Sequence, residues 1–296
     1  MSKIKVLVLG GNGFTGKFVC KELQKRKIDF CCLIKENSDM KWLKKNKINF
    51  IIGNINNKEN LIDVLEGCNF VINTASLAFI NVENLISCCE FKNIERILCI
   101  SSTSIFTKLN VKSKKIRIEA ENKIIKSNLK WTILRPTMIF GTPDDRNIIK
   151  IIHWINKYPI IPIPGNGKAL QRPIYVKDLS WAVVESLLNK KAIKKIINIS
   201  GKDYITYISM IRLIEKKMRR NIFKLYIDKT FSIIICRLLE FLNLPFPLKS
   251  EQIRRINEDK LFLNNEAIDI IKYSPIAFEK AIDKEIKLYK KSFKKK

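Results

Sequence analysis

The chain is predicted to be an α/β protein: a Rossmann-type, doubly wound parallel sheet with a smaller, mainly helical C-terminal lobe. Three observations predict this. Short β-branched runs alternate with helix-length stretches from Lys3 to about Arg135. The first of those runs opens directly into a glycine-rich turn. And 296 residues, 46% of them hydrophobic, suffice for one large α/β domain with an appended lobe.

Taken in order, the strand runs are Ile4–Leu9, Phe30–Ile34, Phe50–Ile52, Phe70–Thr74, Ile97–Ile100 and Trp131–Leu134. Helical patterns lie between them at Gly16–Arg26, Met40–Lys45, Lys58–Glu66, Val82–Phe91 and Lys115–Lys126. Strands that are apolar throughout and separated by helices imply parallel pairing with both faces covered. Right-handed crossovers then place helices on both sides of the sheet. After Pro136 the texture changes. Pro159 to Pro173 holds four prolines and two glycines and reads as a loop. A helix at Leu179–Asn189 and a strand at Ile196–Ser200 follow. Residues 205–290 are mainly helical, with breaks around Pro245–Pro247 and Pro275. The expected division is a dinucleotide-binding domain over 1–158, a lobe over 159–290 interleaved with the last sheet elements, and a frayed basic tail over 291–296.

The strand Ile4–Leu9 runs into Gly10-Gly11-Asn12-Gly13-Phe14-Thr15-Gly16 and then a helix. Glycine is needed where the backbone turns tightly and where a side chain would strike a pyrophosphate. The helix that follows presents free N–H groups and a partial positive charge to an anion. At the first β-α junction of an alternating chain this pattern points to a dinucleotide. The second strand run ends at Lys35, with Glu36 next. An acid there binds the ribose diol of NAD, whereas a cation pairs with the 2′-phosphate of NADP. Lys35 therefore favours NADP(H) over NAD(H), against the alternative that it is one more surface lysine.

The formal charge of +28 admits nucleic acid, an anionic membrane surface or phosphate-bearing small molecules as partners. The lysines are spread along the whole chain and no groove-reading module or aromatic-interleaved basic patch is present, which argues against nucleic acid. The eight cysteines show no Cys-x-x-Cys pair and no metal-ligand spacing, and most sit in apolar runs. A reducing, cytoplasmic compartment fits them. Met1 to Lys5 leads straight into a strand pattern, so no signal peptide is expected. No apolar run reaches membrane-span length. Phe231 to Leu244, interrupted by Arg237 and Glu240, reads as an amphipathic helix facing the core or a partner.

Further motifs extend the pattern. Gly53-Asn54-Ile55 follows the third strand, Asn73-Thr74-Ala75-Ser76 the fourth, and Ser101-Ser102-Thr103 the fifth. Leu134-Arg135-Pro136-Thr137-Met138-Ile139-Phe140-Gly141, Arg172-Pro173-Ile174-Tyr175-Val176-Lys177-Asp178 and Tyr273-Ser274-Pro275 complete the set. With them the chain resembles the extended and atypical short-chain dehydrogenase/reductase superfamily over nearly its whole length. The resemblance is nearest to the nucleotide-sugar epimerase-like and nitrogen-regulator-like branches. It implies that Asn54 and Ile55 lie beside adenine and that Ala75, Ser76, Ser101, Pro136 and Thr137 border the cofactor. It also implies that Ser102 and Thr103 hold the reacting hydroxyl, and that Arg172 meets a substrate phosphate.

The chain departs from the family at the catalytic pair. The family's Tyr-x-x-x-Lys would fall at Ser113 and Arg117, and the first tyrosine anywhere is Tyr158. A serine hydroxyl is too weak an acid to replace a phenol. Lys114 or Lys115 can still approach the ribose, and Tyr175 is the candidate for a replacement acid. His153, the only histidine, lies outside the expected site. Two readings follow. In one the chain is an epimerase- or reductase-like enzyme acting on a nucleotide-linked sugar or similar alcohol. In the other it is a non-catalytic NADP(H)-binding sensor, assembly factor or complex subunit, with a protein or anionic membrane surface as partner.

Overall fold

A computed structural model of the protein describes residues 5–243 and 249–293. In chain order the elements begin with β1 (Lys5–Leu9), α1 (Phe14–Lys25), β2 (Asp29–Ile34), α2 (Lys41–Lys45), β3 (Phe50–Ile52) and α3 (Lys58–Val64). They continue with β4 (Phe70–Asn73), α4 (Val82–Phe91), β5 (Arg96–Ile100), α5 (Lys112–Lys126), β6 (Trp131–Pro136), β7 (Ile139–Phe140) and α6 (Ile148–Lys157). Next come β8 (Ile160–Pro164), β9 (Leu170–Gln171), β10 (Ile174–Tyr175), α7 (Val176–Leu188), β11 (Lys195–Ile199) and β12 (Ile205–Thr206). The chain closes with α8 (Tyr207–Met218), β13 (Phe223–Ile227), α9 (Lys229–Phe241), α10 (Ser250–Ile256), α11 (Asn265–Ile271) and α12 (Phe278–Phe293).

Two compact units result. The first comprises residues up to Pro136, Val176–Ile199 and Asn264–Ser274; the second comprises Thr137–Tyr175, Ser200–Leu263 and the residues from Pro275. The first segment of the first unit runs to Pro136, and β7, which follows it, pairs with β10 in the second unit.

The first unit holds a seven-stranded sheet in the order β11-β6-β5-β4-β1-β2-β3, parallel throughout. Every residue of β4 and β5 is buried, which is why these strands are apolar without alternation. Strand order reverses between β1 and β4, so their carboxyl ends border the crevice where doubly wound sheets bind ligands. In α1, Gly16, Val19, Cys20 and Leu23 recur at helical spacing and form its buried stripe. Arg26 bonds Glu22 at 2.9 Å and Glu185 at 2.7 Å, tying the end of α1 to α7.

The strand expected from Ile97 starts one residue earlier, at a buried arginine. Arg96 donates to the carbonyls of Asn189 and Ser186, each at 3.0 Å, and to Thr132 Oγ1 at 3.1 Å. These acceptors close the end of α7, and burial without an acidic partner lowers the pKa of the guanidinium.

In the second unit, the region 159–173, expected to be a loop, contains β8 and β9. β8 pairs only with β13, so both are edge strands. Pro162 and Pro164 occupy the parity whose N–H would face away from β13; Gly165 N, of the opposite parity, donates to Ile227 O. His153 lies on α6, where its Nδ1 meets the Tyr289 hydroxyl at 3.1 Å. α12 continues through Phe293, so residues 291–293 are helical rather than frayed. Residues 294–296 lie outside the described residues, as do Ile4, Leu244 and the Pro245–Pro247 break.

Candidate dinucleotide site

The glycine loop leaves β1 at the strand-order reversal. Gly10 has φ of +76°, a left-handed conformation that disfavours side chains, and a Cβ there would lie 2.9 Å from Thr74 Oγ1. A Cβ on Gly16 would come within 2.1 Å of Gly10 O, so the first turn of α1 can close on the loop only without one. Gly13 differs. It caps α1 with ordinary extended dihedrals, φ −72° and ψ 168°, is exposed, and a Cβ would meet only Gly10 O at 3.2 Å. Its backbone does not require glycine, and a Cβ would need Gly10 O to give by only a few tenths of an ångström. No side chain caps α1 and no acid stands in its first turn, formed by Phe14, Thr15 and Gly16, so its leading N–H groups retain their attraction for an anion.

Gly11 rests on a thiol pair: Cys20 and Cys32 stand with sulfurs 3.4 Å apart, both buried and free. The contact with Cys20 and burial push the Cys32 thiol up, which keeps it protonated. Asn12 reaches across with its Nδ2 to Asp39 O at 2.6 Å, joining the loop to the turn after β2. Its Oδ1 is buried with no hydrogen-bond partner among the described residues. Lys35 is exposed immediately after β2, beside exposed Glu36.

Past β3, the Asn54 side chain accepts from Asn56 N at 3.0 Å and shapes its own turn, while Ile55 is buried in the core. After β4, Thr74 Oγ1 donates to Leu9 O at 2.8 Å, and Asn73 is bonded both ways to Ala75. Ser76 Oγ accepts from Ala78 N at 3.3 Å. At the end of β5 the Ser101 hydroxyl is buried without a partner. Thus Asn12 Oδ1 and Ser101 Oγ are two orphaned polar atoms on loops at the same edge of the sheet, and Gly13 is an open cradle between protein neighbours. The uncapped α1 amides beside Gly13 and the buried, partnerless Asn12 Oδ1 and Ser101 Oγ fit a phosphate-bearing dinucleotide, which these residues would hold.

The positions expected to carry chemistry are occupied differently. Thr103 is buried and its Oγ1 donates to Pro136 O at 3.1 Å. Ser102 Oγ accepts from Ser104 N at 3.1 Å and caps a short 3-10 turn over Thr103–Phe106. Ser113 and Arg117 share the start of α5, where Arg117 Nη1 donates to Ser113 O at 3.1 Å. Lys114 Nζ bonds Thr107 O at 2.7 Å. Arg135, behind them, pairs with buried Glu121 and covers the Phe106 ring at 5.2 Å.

The remaining candidates belong to the second unit. Thr137 Oγ1 donates to Arg172 O at 2.6 Å. The Arg172 guanidinium donates to the carbonyl of Phe262, to Tyr204 OH at 3.1 Å and to Lys202 O at 3.1 Å, and stacks on the Tyr204 ring at 4.4 Å. Its terminal nitrogens clamp three chain segments together, an engagement not foreseen for a phosphate ligand. Tyr175 is buried against Phe140, ring centroids 6.0 Å apart, with the Lys284 ammonium 5.5 Å from its centroid.

Three features of the structure carry little or no signal in the sequence. The Thr74 latch was legible only as a polar residue after a strand, and Asp39 carried no signal at all. The third is a pair of buried carboxyls in the second unit, Asp145 and Glu285, brought together by the chain's return through α12. Among the described residues there is no cluster able to hold a metal ion.

Residues 10–152 match the NAD(P)H-binding family model. Over 93 residues the chain is 33% identical to the chloroplast stem-loop binding protein of 41 kDa b of Arabidopsis thaliana, covering 31% of this chain and 24% of that protein. It is 26% identical over 144 residues to NADH dehydrogenase (ubiquinone) 1 alpha subcomplex subunit 9, mitochondrial, of the same plant, covering 47% of this chain and 35% of that one. The chain thus spans about a quarter to a third of the length of these two relatives. The UDP-glucose 4-epimerase structure of Thermotoga maritima with UDP-glucose superposes with a TM-score of 0.79 at 15% identity, covering 98% of this chain and 100% of that one. That likeness establishes the Rossmann-type fold.

Proposed function

Because residues 10–152 carry an NAD(P)-binding domain of the short-chain dehydrogenase/reductase superfamily, we propose that the chain binds NAD(P)(H) without performing the superfamily's tyrosine-dependent hydride chemistry. It then acts as a dinucleotide sensor or a subunit of a larger assembly. The observation that carries this reading is the contrast within one unit. Gly13 is glycine where its backbone dihedrals do not demand it, while Thr103 and Ser102 already use their hydroxyls within the chain. No tyrosine precedes Tyr158, and Arg172 has its terminal nitrogens engaged by Lys202, Tyr204 and Phe262. The similarity to a subunit named for a respiratory complex supports a role in an assembly. The free thiols support a reducing compartment such as the cytoplasm.

A second reading, an epimerase or reductase acting on a nucleotide-linked sugar, is favoured by the fold shared with the epimerase bound to UDP-glucose. Calorimetric titration with NADPH and NADH, followed by a panel of nucleotide sugars added to the saturated protein, separates the two. Binding of the dinucleotide with unchanged nicotinamide absorbance supports the first. A sugar-dependent absorbance change transfers the conclusion to the enzyme, with a proton path through a residue other than a phenol in the first unit.

Lys35 is exposed, without an acidic partner among the described residues, and supports NADP(H) as the preferred form. Lys35→Asp is expected to weaken NADPH binding by about tenfold and to leave NADH unchanged or tighter, since one charge-assisted contact contributes on the order of 1–2 kcal/mol. Unchanged affinity ratios would remove Lys35 from the site.

A further inference from the structure

α9 in the second unit buries Ser232 and Cys236 on one side and leaves a second apolar face uncovered. Phe231, Ile234, Leu238 and Phe241 are 57–82% exposed and Leu242 is exposed beside them. At helical spacing these five fall in a stripe about 100° wide. β13, which leads into α9, exposes Phe223, Leu225 and Tyr226 as well. Soluble monomers rarely leave so continuous an apolar surface uncovered.

We propose that the exposed face of α9 docks on an anionic lipid bilayer, lying in the interface with its axis along the membrane. Three considerations select this occupant. The chain carries a formal charge of +28, so two copies repel one another while an anionic surface attracts either. Arg237 is exposed on α9 next to the stripe at helical spacing, and Arg219, just before β13, is exposed as well. The stripe itself offers no hydrogen-bonding group, whereas protein interfaces need about one hydrogen bond per 100–200 Å² and lipid chains need none. At 13 residues α9 is too short to cross a bilayer but has the face of an interfacial helix.

The test is flotation of the full chain with vesicles of phosphatidylcholine alone and of phosphatidylcholine mixed with phosphatidylglycerol. It is run beside the triple variant Phe231→Ser, Leu238→Ser, Phe241→Ser. All three side chains are exposed, so thermal melting of the variant should match the parent. The parent should float with the mixed vesicles and far less with the neutral ones, and the variant should partition about 100-fold more weakly. A parent that stays unbound to both vesicle types overturns the proposal. Equal binding by parent and variant also overturns it, because diffuse charge would then suffice. So does light scattering that shows a dimeric parent and a monomeric variant, which would assign the face to a second copy.

Discussion

Gly13→Val should abolish dinucleotide binding while leaving the protein folded. The backbone at Gly13 already suits a side chain, and a Cβ there meets only Gly10 O at 3.2 Å. The cost to folding is about 1 kcal/mol, since Gly10 O need shift by only a few tenths of an ångström. The isopropyl group would project into the space in front of the α1 amides, where the pyrophosphate must approach to within hydrogen-bond distance. Calorimetry with NADPH should show a loss of at least about 100-fold, equivalent to about 2.7 kcal/mol. Thermal melting should be nearly unchanged. Retained binding would reject the loop as the pyrophosphate site. Joint loss of binding and of the melting transition would show that Gly13 serves the fold instead. Gly16 does not allow this separation, because its Cβ would meet backbone at 2.1 Å and damage the loop itself.

The second large effect concerns pH. Glu285 on α12 is fully buried beside Asp145, and the Gly141 backbone N–H is the group that favours its charged form, too weakly to offset burial. Asp145 already accepts from Asn147 N at 2.7 Å and Ile149 N at 3.3 Å, which hold its carboxylate at the start of α6. Burial first, and the neighbouring Asp145 second, push the Glu285 carboxyl up to about 11. The folded state thus holds a proton that the unfolded chain releases near the ordinary carboxylate value. Stability from this group is full below that ordinary value and is lost progressively as pH rises toward 11. Glu285→Gln supplies a neutral isostere, its amide able to donate to Asp145. It should raise stability at pH 8 by about 1–3 kcal/mol, or about 2–10 °C in melting temperature, and flatten the decline between pH 6 and pH 9. A variant that parallels the parent across that range would show Glu285 to be ionised and paired in the fold.

Much of the first unit was legible in the sequence. Phe50–Ile52 and Val82–Phe91 were placed at their observed bounds, and the remaining strands of the sheet within two residues at each end. The signal there is local: apolar periodicity repeats within each element, and parallel strands covered on both faces leave no polar alternation to confuse it. β8 escaped because prolines read as loop unless the parity of its single neighbour is known. α9 was recognised as an amphipathic segment, but nothing local distinguishes a covered apolar face from an uncovered one. Arg96 falls outside the strand read from the sequence because its acceptors lie on β6, on α7 and just past the end of α7.

By itself, then, the sequence determined that this chain folds around a doubly wound sheet whose first turn is glycine-rich and opens directly into a helix. It also determined that no tyrosine precedes Tyr158. Both are statements about neighbours in the chain, where backbone sterics and periodicity act over a few residues. Only the tertiary structure decided which polar groups remain available. Arg172 meets Phe262, Thr103 meets Pro136, and Glu285 meets Asp145 across long stretches of chain. Hydrogen-bond satisfaction and desolvation are set by whatever the fold brings within about 3 Å, and no spacing along the sequence encodes that distance.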